Sequence, residues 1–134
     1  MTTENKKKNV HEELVRAEEC LREADTLDRE GLSSGAVSRL YYYVFLSVRA
    51  LLFSKGLEPK THEGTLRLVS LHFVKPGILG TEESHMFTRL MKYREEADYN
   101  PSYFFTKDDY SKFKKEADSL HARVLKILKN EDLA

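Results

Sequence analysis

Fourteen consecutive residues, Leu40 to Phe53 (LYYYVFLSVRALLF), carry a single charge, Arg49. A stretch this apolar has to be covered, yet it falls short of the roughly 20 residues that a bilayer crossing needs. It therefore predicts a buried core helix. Ser33 and Ser34 offer an N-cap ahead of it, and Lys55-Gly56 gives a C-terminal stop just after Ser54. Its apolar residues cover nearly every face, so the rest of the chain is expected to pack around it.

The remaining segments supply amphipathic partners. Val10, Leu14, Ala17, Leu21, Ala24 and Leu27 recur at intervals of three and four and predict a helix from Val10 to Asp28, ended by REGLSSG. The nine residues before it, with three successive lysines and no periodicity, read as a disordered tail. Thr61 is a cap for a short helix carrying Leu66, Val69 and Phe73, closed by Pro76-Gly77. Another helix starts near Thr81, where Glu82 and Glu83 suit its positive end, and stops before Asn100-Pro101. Thr106 opens the last, with Tyr110, Phe113, Ala117, Leu120, Val124 and Leu128 in register. No segment alternates as a strand does. The fold class is all-α: an antiparallel, up-and-down bundle of four long helices plus one short helix, a single domain over residues 10–134.

The 22 basic and 22 acidic residues cancel, so no global field draws the chain to nucleic acid or membrane, and any such partner has to be recognised by a local site. Five histidines and one cysteine show no ligand spacing, so neither a metal nor a cofactor is expected. One cysteine and no signal sequence make the cytoplasm the expected compartment.

Two helices carry charges where packing calls for apolar residues. On the fourth long stretch the inward stripe runs Phe87, Leu90, Met91, Arg94, then Ala97 with Asp98. A guanidinium cannot lose its proton to escape burial. Arg94 is therefore either half of a structural ion pair with Asp98, four residues on, or an anion-binding group in a groove that Asp98 orients. On the central helix, Arg39, Tyr42, Tyr43, Leu46 and Arg49 fall on one side at 100° per residue. Guanidinium forks bind phosphate oxygens and phenol rings stack on bases, which makes Arg39, Tyr42 and Arg94 the candidate phosphate or nucleotide contacts. Lys60 and His62, at the start of the short helix, read as a surface capping turn.

Three separated segments, R-L-Y-Y at Arg39, G-L-E-P-K-T-H-E-G at Gly56 and R-E-E-A-D-Y at Arg94, occur in an order that resembles the HEPN domain family, in its branch of small prokaryotic proteins with an R-x-x-A-D-Y motif. The resemblance implies a helical bundle that pairs as a homodimer. It also implies a metal-independent ribonuclease site at the dimer interface, built on an arginine followed after four to six residues by a histidine, and a partner nucleotidyltransferase acting as antitoxin. The arginine corresponds to Arg94; where the histidine would stand, this chain has Tyr99. A phenol ordinarily titrates near pH 10 and makes a poor base at neutral pH. Two functions follow from the same residues. One is a module that binds nucleotide, nucleic acid or a partner nucleotidyltransferase through Arg39, Tyr42 and Arg94. The other is a ribonuclease toxin with Arg94 and Tyr99 as catalytic groups, Tyr99 giving a proton or orienting its neighbour.

Overall fold

A computed structural model describes residues 2–133. Four long helices, α1 (Thr3–Arg29), α2 (Ser33–Ser54), α4 (Thr81–Tyr99) and α5 (Lys107–Asn130), form the bundle, and a short α3 (His62–Val69), which runs into a π-helical turn at Ser70–Val74, lies between α2 and α4 in sequence. Among the described residues there is no strand. The central helix is α2, which packs along α1 and also against α4, α5 and α3. By length and composition α2 would suffice to cross a membrane, but 78% of its most apolar window is buried inside the bundle.

Local chemistry sets most boundaries. At Gly56, with φ of 75°, the chain takes a left-handed turn in which Leu57 N–H reaches back to the Leu52 carbonyl at 2.9 Å, closing the end of α2. Thr61 Oγ1 accepts from Gly64 N–H at 2.8 Å and fixes the first turn of α3. Thr106 and Asp109 cap α5 reciprocally, each side chain accepting from the other's backbone N–H, at 3.0 and 2.9 Å.

Two boundaries differ from the sequence reading. Helix α1 begins at Thr3 rather than Val10, because Thr2 Oγ1 accepts from Asn5 N–H at 3.1 Å and Glu4 sits at the positive helix end. Exposed lysines in this segment need no apolar face to continue a helix already nucleated behind them. Neither Ser33 nor Ser34 is the N-cap of α2: both are inside the helix, which Leu32 precedes without a side-chain hydrogen bond.

The core is rich in rings. Tyr41 and Phe87 stack nearly parallel, with centroids 6.0 Å apart, and tie α2 to α4. Tyr93 stacks on Phe113 at 4.2 Å and joins α4 to α5. On the other side of α2, Tyr43 donates to Asp118 on α5 at 2.9 Å. Ser47 donates to the Tyr43 carbonyl at 2.7 Å, and its Oγ lies 2.7 Å from His121 Nδ1. Because the one Ser47 proton is committed to that carbonyl, His121 must be the donor in the second bond.

Candidate phosphate-binding groove

One open groove of about 760 Å³ lies where α2, the start of α3 and the end of α4 converge, lined by Tyr42, His62, Arg94, Glu95, Glu96, Tyr99 and Asn100. Three of the five residues singled out in the sequence, Tyr42, Arg94 and Tyr99, are thus brought to one place. The other two stand behind it. Asp98 approaches Arg94 Nη1 to 3.6 Å through one helical turn, and Arg39 lays its guanidinium 4.7 Å above the Tyr42 ring without entering the lining.

Arg94 is the anomaly of the site. It is 8% exposed, and its Nε is buried with no hydrogen-bond partner. Its guanidinium carbon sits 5.4 Å from the Tyr41 ring and 5.9 Å from the Tyr99 ring. Burial opposes the charge, but Tyr42, Tyr41, Asp98 and Tyr99 outweigh burial and hold the Arg94 pKa above the ordinary guanidinium value. Arg94 lines the open groove, and a buried cation that keeps an unfilled donor there is arranged to receive an acceptor.

His62 is not a surface cap. Thr61 does the capping, which turns the His62 ring into the bundle, 4.5 Å from Phe45 and 5.6 Å from Tyr41. Its Nδ1 lies 2.7 Å from the Tyr41 hydroxyl. Burial first, then the charges of Arg94 and Arg49, push its pKa below the ordinary 6.5, with Glu95 opposing. Burial also pushes the Tyr41 phenol well up, so it keeps its proton. The imidazole is therefore neutral at pH 7 and carries a lone pair.

The expected shared face of α2 is split. Tyr42 turns to the groove, Tyr43 to α5, and Arg49 to Glu13 on α1 at 3.7 Å. The five residues span an arc of about 120° at 100° per residue, wide enough to address several neighbours. Tyr99 is 75% exposed and presents its ring at the mouth of the groove. Glu95 and Glu96 stand beside it; Glu96 accepts from the Asn100 side chain at 2.8 Å.

Comparison with known proteins agrees with this architecture. A Thermotoga maritima "UPF0332 protein" is 32% identical over 118 residues, 88% of each chain. Two Methanocaldococcus jannaschii proteins are named "Putative toxin MJ0605" and "Putative toxin MJ0142". The first is 33% identical over 126 residues, covering 91% of this chain and 93% of that protein. The second is 31% identical over 103 residues, 77% of this chain and 70% of that protein. The family model described as HEPN domain matches residues 10–128, from the first buried residue of α1 to the last buried residue of α5, and on that match the chain belongs to the HEPN domain family.

Proposed function

We propose that this HEPN protein acts on nucleic acid, and that the groove around Arg94 holds one backbone phosphate of a single-stranded RNA or a nucleotide. The observation that carries this reading is the buried Arg94 with its unpartnered Nε in an open groove. An isolated structural ion pair would close its donors on Asp98, whereas here a single contact at 3.6 Å leaves the rest of the fork unfilled. Tyr42 and Tyr99 line the same groove as the guanidinium and offer rings to bases flanking the bound phosphate. Asp98 orients Arg94, and Arg39 braces Tyr42. Two carboxylates in the lining, the exposed Glu95 and the half-buried Glu96, weaken non-specific attraction to polyanions, so the site favours a ligand that fills it.

The same reading seats a second copy of the chain beside the groove. Tyr99 and Phe104, 75% and 82% exposed, give that end of the bundle apolar surface for an interface.

Fluorescence anisotropy with a labelled, uncleavable 2′-deoxy strand tests the groove. Binding should saturate and weaken at least about tenfold in Arg94→Met, the loss expected for one charge-assisted contact. It should be unchanged in Lys112→Ala, on the exposed face of α5. The logarithm of affinity should fall with that of salt concentration with a slope near ~−0.7, the signature of one phosphate. Equal binding by wild type and Arg94→Met refutes the reading.

A further inference from the structure

The outward face of α1 is patterned along its length. Glu12, Val15, Glu19, Arg22, Thr26 and Arg29 recur at alternating intervals of three and four residues and form one straight stripe. At 100° per residue the stripe lies opposite the buried Val10, Ala17, Cys20 and Ala24, and all of it is exposed except the half-buried Glu19. The charges in its first half are acidic and those in its second half are basic.

The helix dipole does not account for this order, because it acts within the first and last turns. Helix α1 runs from Thr3 to Arg29, which leaves Glu12 and Arg22 well inside it. Partners within the bundle do not account for it either. Among the described residues neither Glu12 nor Arg22 makes an ion pair, while Glu19 is held by Arg16 at 2.8 Å and the Arg29 side chain by the Thr26 hydroxyl at 3.1 Å.

We infer that this stripe pairs with the same stripe of a second copy, the two α1 helices running antiparallel. In that orientation Glu12 meets Arg29, Val15 meets Thr26 and Glu19 meets Arg22, each contact repeated by the two-fold axis. Every charge of the stripe then faces a charge of the other sign. A slip of one heptad in either direction keeps two of the four Glu to Arg contacts, and a parallel pair sets each charge against its like. The order of charges therefore selects one orientation and one register. The edges of the seam differ. Along one, Arg16 faces Glu23 of the other copy; along the other, Glu18 approaches Asp25, which Lys114 already neutralises at 2.9 Å.

At a rise of about 1.5 Å per residue the stripe is roughly 26 Å long and one helix face wide, so it buries less than the ~800 Å² per partner of a standard interface. Pairs of exposed charges are individually weak and are screened by salt. The contact is therefore transient and confined to low ionic strength. It uses a different element from Tyr99 and Phe104, so it joins units formed through that end of the bundle and does not replace them.

Sedimentation equilibrium at high micromolar protein tests this in about 10 mM and about 1 M salt, where charges act over roughly 30 Å and 3 Å. The mass in high salt, whether of one chain or two, is the baseline, so the result does not depend on the interface at Tyr99 and Phe104. Wild type in low salt should reach at least about twice that mass. Glu19→Arg and Arg22→Glu should each stay at baseline, because each sets like charges across the axis. An equimolar mixture of the two should double again, since one then offers two arginines where the other offers two glutamates. A structural effect of either substitution would not produce that recovery. Lys112→Glu changes the net charge as Arg22→Glu does but lies on the exposed face of α5, and it should behave as wild type. Wild type at baseline in both salts overturns the inference. So does doubling by either α1 variant alone, a mixture that stays at baseline, or loss of doubling in Lys112→Glu.

Discussion

Replacing Arg94 by methionine separates a functional arginine from a structural one, because the two make opposite demands on stability. At 3.6 Å and an effective dielectric of about 20, the attraction between Arg94 and Asp98 is 332/(20 × 3.6), or about 4.6 kcal/mol before desolvation. Removing a guanidinium from water costs several kcal/mol, and a buried Nε without a partner adds about 1–3 more. The contacts with the Tyr41 and Tyr99 rings return roughly 0.5–1 kcal/mol each. These contributions nearly cancel. Methionine fills the same channel beside Tyr41 and leaves behind Asp98, whose side chain is 29% exposed and stays hydrated. Arg94→Met should therefore change stability by no more than about 1 kcal/mol in either direction, or ~3–4 °C in melting temperature for a chain of this length. The reverse change is asymmetric: Asp98→Asn leaves the buried cation uncompensated and should cost about 1–3 kcal/mol. Urea denaturation of the two single variants and the double variant measures both. A loss of 3 kcal/mol or more in Arg94→Met, equal to that in Asp98→Asn, would show that the pair is structural and refute the reasoning.

Other parts of the molecule make independent predictions. Ser47→Ala removes the acceptor for His121 Nδ1–H in a buried site and should destabilise by about 1–3 kcal/mol in urea titration; a change under about 0.5 would contradict the donor assignment. Burial lowers the pKa of both His62 and His121 below 6.5, so the unfolded chain binds more protons than the folded one just below that pH. Their contribution to stability is complete above pH 6.5 and is lost as pH falls through the lowered values, so urea midpoints should drop between pH 7 and 5; a midpoint that rises on acidification contradicts this sign. Glu95→Gln removes a rim charge beside Arg94 and should strengthen binding of a 2′-deoxy strand a few-fold at low salt, read by anisotropy, whereas weaker binding would mean that Glu95 touches the ligand favourably. At high micromolar concentration the chain should elute at about twice 15.6 kDa, and elution as a monomer would remove the interface from the proposal.

The helices were legible because their signals are local. Thr61, Thr106 and Gly56 act within four residues, and the periodic faces of α1 and α5 depend only on spacing. Arg94 was legible for the same reason, as a charge interrupting an apolar stripe. His62 was not. Its place in the groove depends on a contact between Tyr41, which by pattern is one more core residue of α2, and the first turn of α3, twenty-one residues later. The nearest signal was the His62 side chain following directly on a threonine cap, which turns it inward, but periodicity cannot tell inward from outward at the first residue of a helix. Tyr43 failed in the opposite way: a shared face on a helical wheel is an arc, and α5 claimed one edge of it through Asp118. Thr3 to Asn9 have no apolar face for periodicity to detect, yet a cap at Thr2 and seven residues of propensity suffice to extend the helix through them.

The central claim is that the buried Arg94 guanidinium receives a phosphate, and nitrogen-15 NMR of the arginine Nε–H groups during titration with the uncleavable 2′-deoxy strand tests it most directly. The Arg94 Nε–H, unpartnered in the free protein, should shift progressively and saturate together with the backbone amides of residues 62–65 and 94–100, while the Nε–H groups of Arg89, whose Nη2 is paired with Glu116, and of Arg123, whose Nε faces Glu83, stay in place. An Arg94 resonance that does not move while the strand is bound, or that moves no more than those of Arg89 and Arg123, would contradict the claim.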